Sequence, residues 1–166
     1  VAGNGMSYVS THAAPAYPGT GMESYRIGDD LVVNVPLPVT GISTEAFIAT
    51  WEMLLPQVAA AVKPDFLAIS AGFDYVAGDP VGDLGVGLEA ASALAAVINA
   101  VGAQCCEGRV AYVLEGGYDI NALTSSIALI ASACDAGSTT PSEAQQRSIP
   151  GSVRNAIVIP NDKGGG

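Results

Sequence analysis

The sequence predicts an α/β fold built on a mainly parallel sheet, and three observations carry that expectation. Uninterrupted apolar runs at residues 66–70 (FLAIS) and 110–114 (VAYVL) read as strands covered on both faces. Stretches with helical apolar spacing separate and follow them. Strand and helix alternate along the chain, the order from which parallel sheets are made.

Taken in order, residues 6–10 (MSYVS) form a short strand that runs into a long Gly- and Pro-rich loop, THAAPAYPGTG. Residues 31–35 (LVVNV) form a second strand, stopped by Pro36 and Pro38. Ser43 or Thr44 caps a helix in which Phe47, Trp51, Leu54, Leu55, Val58 and Val62 recur on one face. Pro56 is expected to kink or split that helix. FLAIS and VAYVL are expected as inner strands of one parallel sheet, with an Ala-rich helix over 88–101 between them. Asp119 caps a further helix that runs to about Cys134. Residues 137–150 read as a polar loop, 156–159 as a last short strand, and the final glycines as a frayed tail.

Composition sets the outer limits. A chain of 166 residues can bury one core, and 49% hydrophobic residues with mean hydropathy +0.39 exclude a wholly disordered chain. No apolar run reaches the roughly 18 residues of a membrane span. No basic segment followed by an apolar one opens the chain, so neither a signal peptide nor a membrane partner is expected, and the location is expected to be cytoplasmic. The first residue is not Met, and an upstream part is expected. Net charge is −10 with six Lys and Arg, which excludes non-specific nucleic-acid binding. Such a surface suits cationic partners, polyamines or Lys-rich tails, or simply solubility. Three Cys without a C-x-x-C pattern read as free or buried thiols of a reducing compartment.

In parallel sheets ligands bind beyond the carboxyl ends of the strands. Here those ends carry loops of unusual composition: His12 and Tyr17-Pro18-Gly19-Thr20-Gly21 after the first strand, Ala71-Gly72-Phe73-Asp74 after FLAIS, and Glu115-Gly116-Gly117-Tyr118-Asp119 after VAYVL. An Asp at such a place serves as a metal ligand or, more often, as a helix cap or turn former. A Tyr there serves as a donor to a developing oxyanion or as a packed aromatic.

The motifs themselves narrow the choice. Residues 69–74 (ISAGFD), with Gly78-Asp79-Pro80 and Gly82-Asp83-Leu84, resemble the S-A-G-F-D…D-P-L-G-D-L block of the histone deacetylase / acetoin-utilisation / acetylpolyamine amidohydrolase superfamily. Residues 113–119 (VLEGGYD) resemble its L-E-G-G-Y-[DN] block, 8–12 with 17–21 its strand and Y-P-G-T-G loop, and 33–37 its V-N-V-P-L strand. Four blocks in family order span residues 6–135.

The resemblance implies the C-terminal portion of a three-layer arginase/deacetylase-type fold. Residues 1–5 are then an uncertain start, 6–135 the deacetylase part, and 136–166 a polar loop, short strand and flexible tail. It implies a zinc-dependent amidohydrolase acting on an acetylated amine or an acetyl-lysine protein, with Asp74 as a zinc ligand and Tyr118 as the catalytic group that stabilises the oxyanion. Tyr17, Val81, Gly116 and Gly117 would line the substrate channel. Ser10 and Thr11 would help to hold a structural monovalent cation, potassium. Val81 stands where the family carries Leu or Met, which implies a roomier wall.

The family's tandem His pair and its Asp-x-His zinc ligands have no counterpart here. The chain has one His, His12, read as a structural, hydrogen-bonded residue. Residues 1–5 (VAGNG) faintly resemble the end of the H-H-G-[ND]-G block, which would put Val1 at a ligand His, and valine cannot coordinate zinc. A non-catalytic binding module of the same fold is therefore the alternative for this chain.

Overall fold

A computed structural model describes residues 5–136, 151–157 and 159–160. The element order is β1 (Tyr8–Ala14), β2 (Tyr25–Ile27), β3 (Asp30–Pro38), α1 (Thr44–Val62), β4 (Leu67–Gly72), α2 (Ala90–Cys105), β5 (Val110–Gly116), α3 (Ile120–Asp135) and α4 (Gly151–Ala156). The elements fall into two compact units, one of Val1–Val39 with Pro150–Gly166 and one of Thr40–Ile149.

The first unit holds a three-stranded sheet in the order β1-β3-β2. β3 runs parallel to β1, from Tyr8↔Val32 to Ala14↔Pro38, and antiparallel to β2. Leu31, Val33 and Val35 are fully buried, and α4 packs on β3 with Val153 buried. β2 was not foreseen. It is joined to β3 by Gly28-Asp29, a two-residue connection with Gly28 at φ +61°, the positive value that tight hairpins need.

Three expectations for this unit need correction. The first strand starts later and continues through His12 to Ala14, because β3 pairs with it along its whole length. Pro36 and Pro38 do not stop β3. The Asn34 N–H points away from β1, to Ser24 Oγ at 2.9 Å, and in a pleated strand Pro36 and Pro38 turn their nitrogens the same way. Neither proline therefore removes a bond from the β1–β3 ladder. The short strand expected over 156–159 is not present among the described residues. Ala156 instead ends α4, a six-residue helix in which Val153 is buried.

In the second unit β4 and β5 pair in parallel, from Leu67↔Val110 to Ala71↔Leu114, then shift register so that Gly72 faces Gly116. α2 makes the crossover that a parallel pair requires. Leu55 and Ala59 of α1 and Val97, Ile98 and Val101 of α2 form the core, and Leu67, Ile69, Val110 and Tyr112 pack against it from the sheet. Ser43 caps α1, its Oγ accepting from the Ala46 N–H at 3.2 Å, and Asp119 caps α3. α1 is one helix in spite of Pro56, which removes only its own N–H from the helical ladder. The parallel pairing of the FLAIS and VAYVL strands is as expected, but neither is an inner strand among the described residues, since each pairs only with the other. β4 accordingly alternates half-buried and exposed positions, and Val113 and Leu114 of β5 are exposed. The polar loop at 137–150 and the terminal glycines lie outside the described residues.

Glu52 is buried in α1, and its Oε2 has no hydrogen-bond partner among the described residues. Desolvation raises its pKa, so ionising it costs more in the folded state than in the unfolded one. Its unfavourable contribution is absent below the ordinary glutamate pKa and grows as pH rises toward the raised folded value. Glu52→Gln should therefore raise Tm at neutral pH, with the gain vanishing below the ordinary glutamate range. Thermal melts across that range test this, and an equal gain at every pH would exclude the ionisation as its cause.

Candidate functional site

The carboxyl ends of β4 and β5 lie side by side, and the loops that leave them build the candidate site. Phe73, the first residue past β4, donates its N–H to the Gly116 carbonyl at 3.1 Å, which closes the sheet. Asp74 follows. A Cβ added to Gly72 would lie 3.2 Å from Asp74 Oδ1, and one added to Gly116 would lie 3.3 Å from it. The carboxylate thus sits over the two facing glycines, in space that side chains there would crowd.

The segment after Asp74 folds back on itself. Leu84 and Val86 both donate to the Tyr75 carbonyl, and Ala77 donates to the Val86 carbonyl. Tyr75 packs its ring 4.9 Å from that of Phe47. Burial and the negative charge of Asp74 push its phenol up to about 12, so it stays protonated. At the tip, Gly82 meets the Asp74 backbone so closely that an added Cβ would overlap the Asp74 carbonyl oxygen.

Asp79 is the residue that sequence reasoning missed. It is buried at 5% exposure and accepts four backbone hydrogen bonds. Oδ1 takes the N–H of Val81 at 2.9 Å and of Gly82 at 3.1 Å, while Oδ2 takes that of Tyr118 at 2.7 Å and of Asp119 at 3.2 Å. Desolvation alone would raise its pKa, but the four donors outweigh it and hold the carboxyl below the usual range. The available signal was the Asp at the head of D-P-V-G, a turn-forming place for a side chain that bonds the backbone ahead of it.

Beyond β5, Gly117 takes φ +113°, and a Cβ there would lie 3.0 Å from that of Phe73. Tyr118 follows, half exposed. Asp119 then caps α3 by accepting from Asn121 and Ala122. Asp74, Gly116, Gly117 and Tyr118 thus stand at one end of one sheet, and the loop that carries Val81, itself 68% exposed, is tied to Tyr118 through Asp79. Ser10, Thr11 and Tyr17 belong to the other unit. Ser10 and Thr11 lie inside β1, where neighbours face opposite ways, and Tyr17 is 98% exposed in the loop after it. The Ser10 hydroxyl lies 3.2 Å from His12 Nδ1, Gly21 lies close against His12 Nε2, and that nitrogen is buried without a hydrogen-bond partner among the described residues. The cysteines are free thiols, with Cys105 and Cys134 exposed and Cys106 buried. Among the described residues no group of three or more His, Cys, Asp or Glu could hold a metal ion, and no helix is long and apolar enough to cross a membrane.

Comparison with known proteins agrees with this architecture. The histone deacetylase domain model matches residues 2–134. The chain is 36% identical over 125 residues to histone deacetylase 10, chloroplastic, of Oryza sativa subsp. japonica, covering 73% of the chain and 28% of that protein. It is 34% identical over 116 residues to a probable deacetylase of Archaeoglobus fulgidus, covering 68% of the chain and 32% of that protein. The crystal structure of the HDA15 HD domain superposes with a TM-score of 0.69 at 31% identity, over 91% of this chain and 42% of that one. The chain thus spans less than a third of the length of the curated relatives it matches. With four sequence blocks, an α/β fold and a family match over most of its length, it belongs to the histone deacetylase domain family.

Proposed function

We propose that this chain forms part of the catalytic end of a zinc-dependent amidohydrolase that removes acetyl groups from acetylated lysine or polyamine-type amines. The observation that carries the reading is the placement of Asp74 and Tyr118 just beyond adjacent parallel strands in a chain of the deacetylase family. The Tyr118 phenol donates a hydrogen bond to the oxyanion that develops on the acetyl carbonyl. Val81, Gly116 and Gly117 form wall around the acetylated side chain. Ser10 and Thr11 contribute to a potassium site. Asp74 offers one carboxylate donor to zinc, over glycines that leave it room. One carboxylate does not make a zinc centre, which takes about three protein ligands, so the described residues do not by themselves fit the metal.

A second reading, a binding module that keeps the fold without the chemistry, draws on that incomplete donor set. The two readings separate on the coding sequence upstream of Val1. A tandem His pair and a D-x-D-x-H-H motif in frame support the enzyme, and an in-frame sequence without them supports the binding module. For the 166-residue chain itself, metal analysis after dialysis should find well under one zinc per chain. An assay on a fluorogenic acetyl-lysine substrate should find no turnover. One zinc per chain with chelator-sensitive activity would show a ligand set within these residues.

A further inference from the structure

The buried carboxylate of Asp79 has no part in the proposed chemistry, yet it joins the two arms of the site. Its Oδ1 holds the N–H groups of Val81 and Gly82, and Gly82 is the residue packed against the Asp74 backbone. Its Oδ2 holds the N–H groups of Tyr118 and Asp119, the start of the opposite arm. Among the described residues, no other side chain bonds the backbone N–H of Tyr118.

We propose that Asp79 is a positioning residue that fixes the Tyr118 arm to the Asp74 arm, so that the oxyanion donor and the carboxylate ligand move as one body. The assignment of those two roles rests on the deacetylase reading, whereas the mechanical link does not. The physical basis is the number and kind of bonds. A carboxylate has enough lone pairs for four donors, and each bond is charge-assisted, with the accepting side chain itself buried. With both oxygens engaged, displacing Tyr118 breaks bonds on the same group that shapes the turn beside Asp74. The carboxyl is also held ionised well into acid by those donors, so the link persists at neutral pH.

The alternative is that Asp79 serves only its own turn, Asp79 to Gly82. Asparagine separates the two. Its single carbonyl oxygen can serve one pair of donors, and Asn forms such turns as readily as Asp does. Its NH2 group cannot accept from the other pair.

The test is residue-resolved hydrogen–deuterium exchange on the full chain at neutral pH, for wild type, Asp79→Asn and Asp79→Ala. The expected result for Asp79→Asn is a loss of protection of about ten- to a hundredfold at Tyr118 and Asp119. Val81 and Gly82 should stay near wild type, as should the paired amides of β4 and β5. Asp79→Ala should release all four loop amides. Wild-type protection at Tyr118 and Asp119 in the Asn variant would overturn the proposal. So would an equal loss across β4, β5 and α2, which would mark Asp79 as a general stabilising residue. These readouts involve neither zinc nor turnover. An intact domain without zinc would therefore sink the deacetylase reading and leave them unchanged, and their failure would leave that reading standing.

Discussion

Tyr118→Phe, made in an intact deacetylase domain that carries this segment, is expected to lower kcat by about 10²–10³ while zinc content is unchanged. The substitution removes one hydroxyl and keeps the ring. Tyr118 is half exposed, so little packing is lost, and its backbone N–H remains on Asp79. The whole effect should then fall on the step in which charge develops on the acetyl oxygen, with KM little changed. Asp74→Ala should behave differently, losing metal and activity together, because the carboxylate over Gly72 and Gly116 is the proposed zinc donor. Steady-state kinetics and metal analysis on both variants check this. Mild and equal effects from the two would refute the division of roles.

Gly82→Ala is expected to be the most damaging single methyl group in the second unit. The added Cβ would overlap the Asp74 carbonyl oxygen and sit 2.9 Å from Asp74 Cβ. Backbone on one side and a tight turn on the other leave no flexible side-chain end to give way. Overpacking of this kind costs about 1–3 kcal/mol, and Gly82 belongs at the upper end of that range. Gly85→Ala is the natural control. Gly85 takes φ +75° but has open space around its Cα, so alanine there meets backbone strain alone, about 1–2 kcal/mol. Denaturant unfolding of the two variants should rank Gly82→Ala as the less stable. The reverse order would mean that the loop tip moves freely away from Asp74.

The sequence was most informative where one local rule acted alone. Ser43 and Asp119 each cap the helix that follows, as their side chains and the apolar spacing beyond them required. Leu67–Gly72 and Val110–Gly116 form strands, as short apolar runs do, and pair in parallel because α2 carries the chain back between them. The family blocks then told which strand ends mattered. What was hidden depended on partners distant in sequence. Whether Pro36 ends a strand depends on which edge its nitrogen faces, and that is set by Ser24, Asn34 and β1 together. The exposed side of β5 likewise cannot be read from Val113 and Leu114, whose character suits burial. Asp79 stood inside a motif, but its bonds to residues 39 and 40 positions away follow only from the fold.

The path of β3 also bears on how copies of the chain meet one another. Past Val32, where β2 ends its pairing, one margin of β3 faces no strand among the described residues. A growing fibril or a swapped hairpin extends a sheet by taking N–H groups from such a margin. Here the first of them, at Asn34, is already given to Ser24, and the next two, at Pro36 and Pro38, do not exist. The margin therefore presents no free donor over five residues of a strongly apolar strand. The two prolines thus act as a guard against recruitment of further strands, placed where the strand would otherwise invite them.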